Sequence, residues 1–178
     1  PGDVALYRAG RAAAAAGEVS RALRHFQRLA EEYPASPILP EARFAQGDVL
    51  AEMGRFDAAL LSFDEVIRAA PDSAAATMAW GRKGDCQFTL GAQSPARYEQ
   101  ALAAYLTVAD REREAMDVRL QAVYKAGRCE EMLGRPAAAI ERYMTVVYRH
   151  LDERQAGRPG APAPPPDPSS WCPAPWHS

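Results

Sequence analysis

Residues 52–60, EMGRFDAAL, decide how this chain is read. Gly54 interrupts a run of helix-forming residues, Phe56 follows two positions later, and Ala59 lies five after the glycine. The same glycine returns as Gly17, Gly91 and Gly134, at intervals of 37, 37 and 43 residues. A second glycine precedes each by seven positions, as Gly10, Gly47, Gly84 and Gly127, with the same intervals. Matched recurrences at a period of this length mark stacked copies of one supersecondary unit.

The rest of the unit follows from the turn glycine. Ala22, Ala59 and Ala139 come five residues after it, Phe26, Phe63 and Tyr143 four further on, and Leu29, Val66 and Val146 three beyond those. Steps of four and three trace one face of an α-helix. In the third unit the series reads Ala101, Tyr105, Val108, displaced by five residues inserted around AQSPAR. Gly54 and its equivalents follow one helix and are suited to the positive φ of a helix C-terminus. The inner glycines sit inside a helix, where each should cost roughly 1 kcal/mol relative to alanine. Their recurrence therefore implies a gain, most simply the close approach of a neighbouring helix. Each unit reads as an antiparallel helical hairpin with a tight internal contact.

Those residues expect eight helices, over about 3–16, 19–33, 38–53, 56–70, 73–90, 95–112, 116–133 and 136–152. Ser36-Pro37 and Ser94-Pro95 place an N-cap serine before a first-turn proline, and Asp72-Ser73 can cap the helix after Pro71. Composition agrees. Of the 178 residues, 48% are hydrophobic with alanine dominant, and only 8% are aromatic, which favours an all-α chain. That length supports one ordinary domain with a core. The expected division is a helical domain over 1–154, with units at about 3–36, 37–72, 73–115 and 116–152, and a Pro/Trp-rich tail over 155–178. The tail holds eight prolines from Pro159 onward and favours an extended, polyproline-like course. Trp171 and Trp176 are its expected anchors.

The pattern resembles the tetratricopeptide repeat (TPR) family, whose unit carries a glycine and an aromatic on its first helix and A-x₃-F…P on its second. In the second unit the matching residues are Phe44, Gly47, Leu50, Gly54, Phe56, Ala59, Phe63 and Pro71. The resemblance covers about residues 3–152. Unit three departs from it by its loop and by Arg113 in place of a closing proline, and unit four by Leu151. The resemblance implies an α-solenoid whose first helices line a concave groove that holds peptides or protein segments. Mapped onto this chain, the groove face comprises Tyr7, Arg11, Ala14, Glu41, Phe44, Asp48, Glu52, Met78, Asp85, Phe88, Tyr124, Arg128 and Glu131. Packing between helices is the competing role for Phe44 and Tyr124. The joint YPASPILPEA, which lengthens the period, is similar to the bacterial envelope members of the family, the periplasmic coordinator of the Tol–Pal system and outer-membrane assembly lipoproteins. That likeness implies a periplasmic or envelope location.

Other chemistry finds little support in the residues. The net charge is −2, from 21 basic and 23 acidic residues, with no clustered basic excess of the kind nucleic acid requires. No apolar run reaches the length of a membrane span. The chain begins at Pro1, which reads as a processed or partial chain with room for a removed leader. No phosphate-binding loop, nucleophile elbow or metal-ligand spacing is present, and His25, His150 and His177 stand apart. The expectation is a non-enzyme with neither cofactor nor metal. Cys86 and Cys129 occupy equivalent positions two residues after an inner glycine, matched by Ala12 and Val49. Small apolar packing explains them better than an inter-repeat disulfide, because stacked helices hold equivalent points too far apart. Arg21, Arg24 and Arg28 form a stripe read as a solvated outer face. Lysine–asparagine recognition of a terminal carboxylate fits poorly, since the chain has no asparagine and the mapped groove is rich in Asp and Glu. Two functional readings remain. One is a scaffold binding a protein or peptide in the groove. The other is a structural subunit of a longer array or assembly, self-associating or with its tail capping the array or docking on a neighbour.

Overall fold

The computed structural model describes residues 1–156, with side chains described through Arg149 and at Leu151. Over that span the chain forms eight helices: α1 Gly2–Ala15, α2 Val19–Glu32, α3 Leu39–Glu52, α4 Phe56–Ala69, α5 Ala74–Leu90, α6 Ala96–Ala109, α7 Met116–Met132 and α8 Pro136–Ala156. No strand occurs among the described residues. The tail anchors Trp171 and Trp176, and the expected extended course of the tail, lie outside them.

The helices pair as hairpins, α1 with α2 through α7 with α8, and each hairpin packs on the next. Three turn glycines are left-handed as expected, with φ of 75° at Gly17, 73° at Gly54 and 71° at Gly134. The following N–H reaches back five residues, from Glu18 to Ala13, Arg55 to Leu50 and Arg135 to Glu130. This pattern satisfies carbonyls that the helix end would leave unpaired. Gly91 differs, keeping the right-handed conformation at φ −57°. The inserted AQSPAR segment supplies the reversal there, and Gly91 instead makes room for the Tyr98 ring, 2.2 Å from where a Cβ would stand.

The inner glycines explain themselves in the same way. A Cβ added at Gly10, Gly47, Gly84 or Gly127 would lie 2.5, 2.6, 2.5 and 2.6 Å from Phe26, Phe63, Tyr105 and Tyr143 respectively. The aromatic of each second helix thus lies on the bare backbone of its first helix, and the five-residue insert leaves this contact intact in unit three. Around it the alanine, aromatic and aliphatic positions close the core. Ala22, Phe26, Leu29, Ala59, Phe63, Val66 and Ala101 are fully buried, and Tyr105 and Val108 nearly so.

The joints depart from the expected capping. Ser73 caps α5 by accepting from the Ala76 N–H at 3.1 Å. Neither Ser36 nor Ser94 caps the helix that follows, because a separate turn intervenes before α3 and before α6. Ser36 instead donates to Asp3 at 2.6 Å, tying the α2–α3 joint to the start of α1. This bond, with the Val4 N–H, holds the Asp3 carboxyl down to about 2. Where unit three lacks its closing proline, arginines take over. Arg111 donates to the Pro71 carbonyl at 2.8 Å and to Thr77 at 3.0 Å, and Arg113 pairs with Asp72 at 3.0 Å.

Beyond successive helices, α1 also touches α3, and α3 touches α5. The first helices α1, α3 and α5 therefore crowd together along one side of the stack. In a curved array of helix pairs the more crowded row lies inside, which makes the row of first helices the inner face.

Candidate functional site

The inner face is a row of first helices, and its aromatics follow the repeat. Three residues before each inner glycine stand Tyr7, Phe44 and Tyr124. Each ring packs against the aromatic of the paired helix, with centroids 6.4 Å apart for Tyr7–Phe26, 5.7 Å for Phe44–Phe63 and 5.5 Å for Tyr124–Tyr143. Packing does not consume them: Tyr124 stays 50% exposed, and Tyr7 and Phe44 are half-buried. Phe44 and Tyr124 thus pack between helices and keep part of their surface open.

Unit three breaks the row. Its equivalent residue is Gly81, and nothing lies within 4 Å of where a Cβ would stand. The aromatic of this unit has moved two turns along α5 to Phe88, which meets Tyr98 edge-on at 5.3 Å. A notch remains in the row between Phe44 and Tyr124, with Met78, 50% exposed, one turn above it. The gap is legible in the sequence, since Gly81 falls at the offset of Tyr7, Phe44 and Tyr124.

The charges are better balanced than the sequence suggested. Asp48 and Asp85 were expected to make the groove acidic. Each is paired with a cation that the mapped face omitted. Arg82 bonds Asp48 at 2.6 Å and reaches Asp85 at 3.6 Å, while Lys125 bonds Asp85 at 2.7 Å. Asp85 also accepts from the Tyr105 hydroxyl at 2.8 Å. Burial, and the neighbouring Asp85 carboxylate, push the Tyr105 hydroxyl upward, so it remains a donor. The result is an alternating chain, Asp48, Arg82, Asp85, Lys125, that stitches α3 to α5 and α5 to α7. Arg82 and Lys125 were missed because their partners lie 34 and 40 positions away, beyond any local spacing.

The remaining mapped residues fall into place around this chain. Arg128 lies over the Phe88 ring at 4.8 Å and Arg11 over Tyr7 at 6.0 Å, geometries in which a ring attracts a cation. Glu131 accepts from the Tyr143 hydroxyl at 2.7 Å. Glu41 and Glu52 are exposed, and Ala14 is half-buried against the first hairpin. Tyr7 and Arg11 belong to the opposite end of the row from Tyr124, Arg128 and Glu131, so they form one strip, not one pocket.

Elsewhere, Arg21 pairs with Glu18 and Arg28 with Glu32, each at 2.9 Å along their own helix, as a solvated face does. Cys86 and Cys129 are free and buried. Burial pushes their thiols up to about 11 and about 12, which keeps them protonated and unreactive near neutral pH. Among the described residues no three His, Cys, Asp or Glu side chains group to hold a metal, and no helix is long and apolar enough to cross a membrane.

Comparison with known proteins agrees with this architecture. The tetratricopeptide repeat family profile matches residues 7–74, 44–94 and 96–158. No curated protein matches the chain. Among solved structures, MamA superposes with a TM-score of 0.70 at 14% identity, covering 85% of this chain and 80% of that one. A tetratricopeptide repeat protein from Parabacteroides merdae gives 0.69 at 16% identity, over 88% of this chain and 55% of that one. Kinesin-light-chain TPR-like repeats from Podosopora anserina give 0.68 at 13% identity, over 85% and 76%. At these identities the likeness is one of fold.

Proposed function

The chain belongs to the tetratricopeptide repeat family, and on that premise we propose that it is a non-catalytic scaffold holding a peptide or protein segment along its inner face. Repeats of this family generally serve as protein-binding scaffolds. The observation that carries the reading here is the open aromatic row of Tyr7, Phe44 and Tyr124, anchored on one side and interleaved with paired charges. Rigid, half-exposed aromatics beside satisfied polar groups are what binding hot spots are made of. Nothing is bonded or cleaved in this mechanism; affinity comes from fitting side chains of the partner over the row.

Replacing Phe44 by Ala together with Tyr124 by Glu is expected to weaken partner capture by about ten-fold, the scale of losing one good anchor. Helicity should be unchanged, because both rings are peripheral to the buried aromatics beneath them. Quantitative mass spectrometry of proteins captured from native lysate, alongside circular dichroism, checks both halves. An unaltered capture profile would remove the inner face from consideration.

A second reading, a structural subunit of a longer array or assembly, rests on a different observation. The position after the core alanine is Leu60 or Leu102 in the inner hairpins, each 7% exposed under the next hairpin, but Ile140 is 61% exposed. Met144, Val147, Tyr148 and Leu151 continue that apolar stripe along α8. A Pro-rich segment follows α8 in sequence, and an apolar face of this kind in a repeat array calls for a cover. If the tail is that cover, truncation after Ala156 lowers the melting temperature by several degrees and reduces solubility. If the tail docks on a neighbour, melting is unchanged and a partner is lost; calorimetry of the two chains separates these outcomes. The likeness of the YPASPILPEA joint supports, within this proposal, an envelope placement and an adaptor role.

A further inference from the structure

We propose that the inner face selects a dipolar segment, an extended peptide with a basic side chain over Glu52 and an acidic side chain against Arg128, crossing α5 beside Asp85, one turn from the Gly81 notch. This deepens the scaffold reading and rests on it. Two depressions flank α5. One, of about 160 Å³, lies between α3 and α5 and is lined by Glu52, Phe56, Arg82 and Asp85. The other, of about 180 Å³, lies between α5 and α7 and is lined by Asp85, Phe88, Tyr105, Lys125 and Arg128.

The charges inside these depressions cancel. Asp48, Arg82, Asp85 and Lys125 saturate one another through contacts of 2.6, 3.6 and 2.7 Å. Of the charged residues lining the two depressions, those left over are Glu52 on one side and Arg128 on the other, of opposite sign. Glu52 is exposed at the end of α3 and has no cation within the 4.0 Å ion-pair limit among the described residues. Arg128 is exposed on α7 and has no carboxylate within that limit among them; its guanidinium is steered only by the Phe88 ring, at 4.8 Å. Such a polarity rewards a ligand of matching polarity and penalises one that sets like charge against either rim.

The ridge between the depressions is formed by Asp85 and Thr89, which line both. Met78, Gly81 and Asp85 share one face of α5 by their spacing, and Gly81 offers open space where the neighbouring units carry a ring. Packed helices stand roughly 8–10 Å apart, and a polyproline-type strand advances about 3.1 Å per residue and returns to the same face every third residue. The rims stand on α3 and α7, two such spacings apart, so a basic and an acidic residue about six positions apart reach both together, with the backbone over α5 beside Asp85.

The test uses three fluorescein-labelled synthetic peptides sharing one apolar, aromatic-containing frame, with Lys and Glu, two Lys, or two Glu placed six residues apart. Fluorescence anisotropy is read with the full chain. The Lys/Glu peptide is expected to bind about five-fold more tightly than either like-charged peptide, the scale of one exposed ion pair. Glu52→Lys should move the preference to the two-Glu peptide and Arg128→Glu to the two-Lys peptide, and the differences should shrink in high salt. Equal affinities, or any other ranking, overturn the dipolar assignment alone, provided Phe44→Ala still weakens all three. If none of the peptides binds saturably, the groove reading fails with it.

Discussion

Gly84→Ala is expected to destabilise the protein by about 3 kcal/mol, at the upper end of what overpacking a filled core does. Replacing glycine by alanine inside a helix ordinarily gains roughly 1 kcal/mol, so the sign itself is diagnostic. The new methyl would stand 2.5 Å from the Tyr105 ring, whereas carbon atoms in contact settle near 3.5–4.0 Å. The ring has nowhere to go, being 3% exposed and held at its far end by the 2.8 Å bond to Asp85. The helices must therefore separate, and the same seam runs through every hairpin. Gly81→Ala, one turn away on the same helix, is the control. Nothing occupies the space near Gly81, so that substitution should stabilise by about 1 kcal/mol. Denaturant titration of both variants, with Gly84→Ala/Tyr105→Leu as the relieving double change, reads the contrast. Two substitutions of equal sign would show that the inner glycines are not there for the rings.

That contrast also marks how far a one-dimensional reading reaches. The eight helices, the alanine–aromatic–aliphatic series and the need for bare backbone at Gly10, Gly47, Gly84 and Gly127 were all written as periods, and periods survive into three dimensions. Even the displaced series Ala101, Tyr105, Val108 found its place, because the insert lies in a turn where length is absorbed. What escaped was set by neighbours remote in sequence or by local competition. Gly91 looked like its three equivalents, yet the insert after it makes its own turn and removes the need for positive φ. Ser36 carried a capping signature, but its hydroxyl is committed to Asp3, 33 positions earlier. The mapped face counted Asp48 and Asp85 as free acids, because Arg82 and Lys125 approach them only once hairpins stack. Spacing told which side each residue occupies. It could not tell which opposite charge the adjacent hairpin would bring to it.

The same stacking gives the fourth hairpin a seam unlike the others, and removing it should be felt strongly. Three residues after the inner glycines stand Ala13, Leu50, Gln87 and Glu130, all buried. The polar character rises along the array, and Glu130 buries a carboxylate whose side chain is only 6% exposed. It accepts from Arg142 at 3.4 Å and from Arg135 at 3.5 Å. Glu130→Ala is expected to lower stability by about 2–3 kcal/mol, the lower part of the range for breaking a buried pair because Arg142 retains some contact with water. The loss falls mainly on Arg142. Arg135 keeps its bond to Glu99, but Arg142 would lose its carboxylate while its buried Nε already lacks a partner. Pairing Glu130→Leu with Arg142→Leu should recover most of the loss, since well-packed apolar residues often replace a buried pair without penalty and Leu50 already fills the equivalent site. Thermal and urea unfolding of Glu130→Leu, Arg142→Leu and the double variant close the cycle. Additive losses would mean that the two residues stabilise α8 separately. A recovered double variant would mean that α8 is held to α7 by shape, with the ion pair serving to fix its register behind the Arg128 rim.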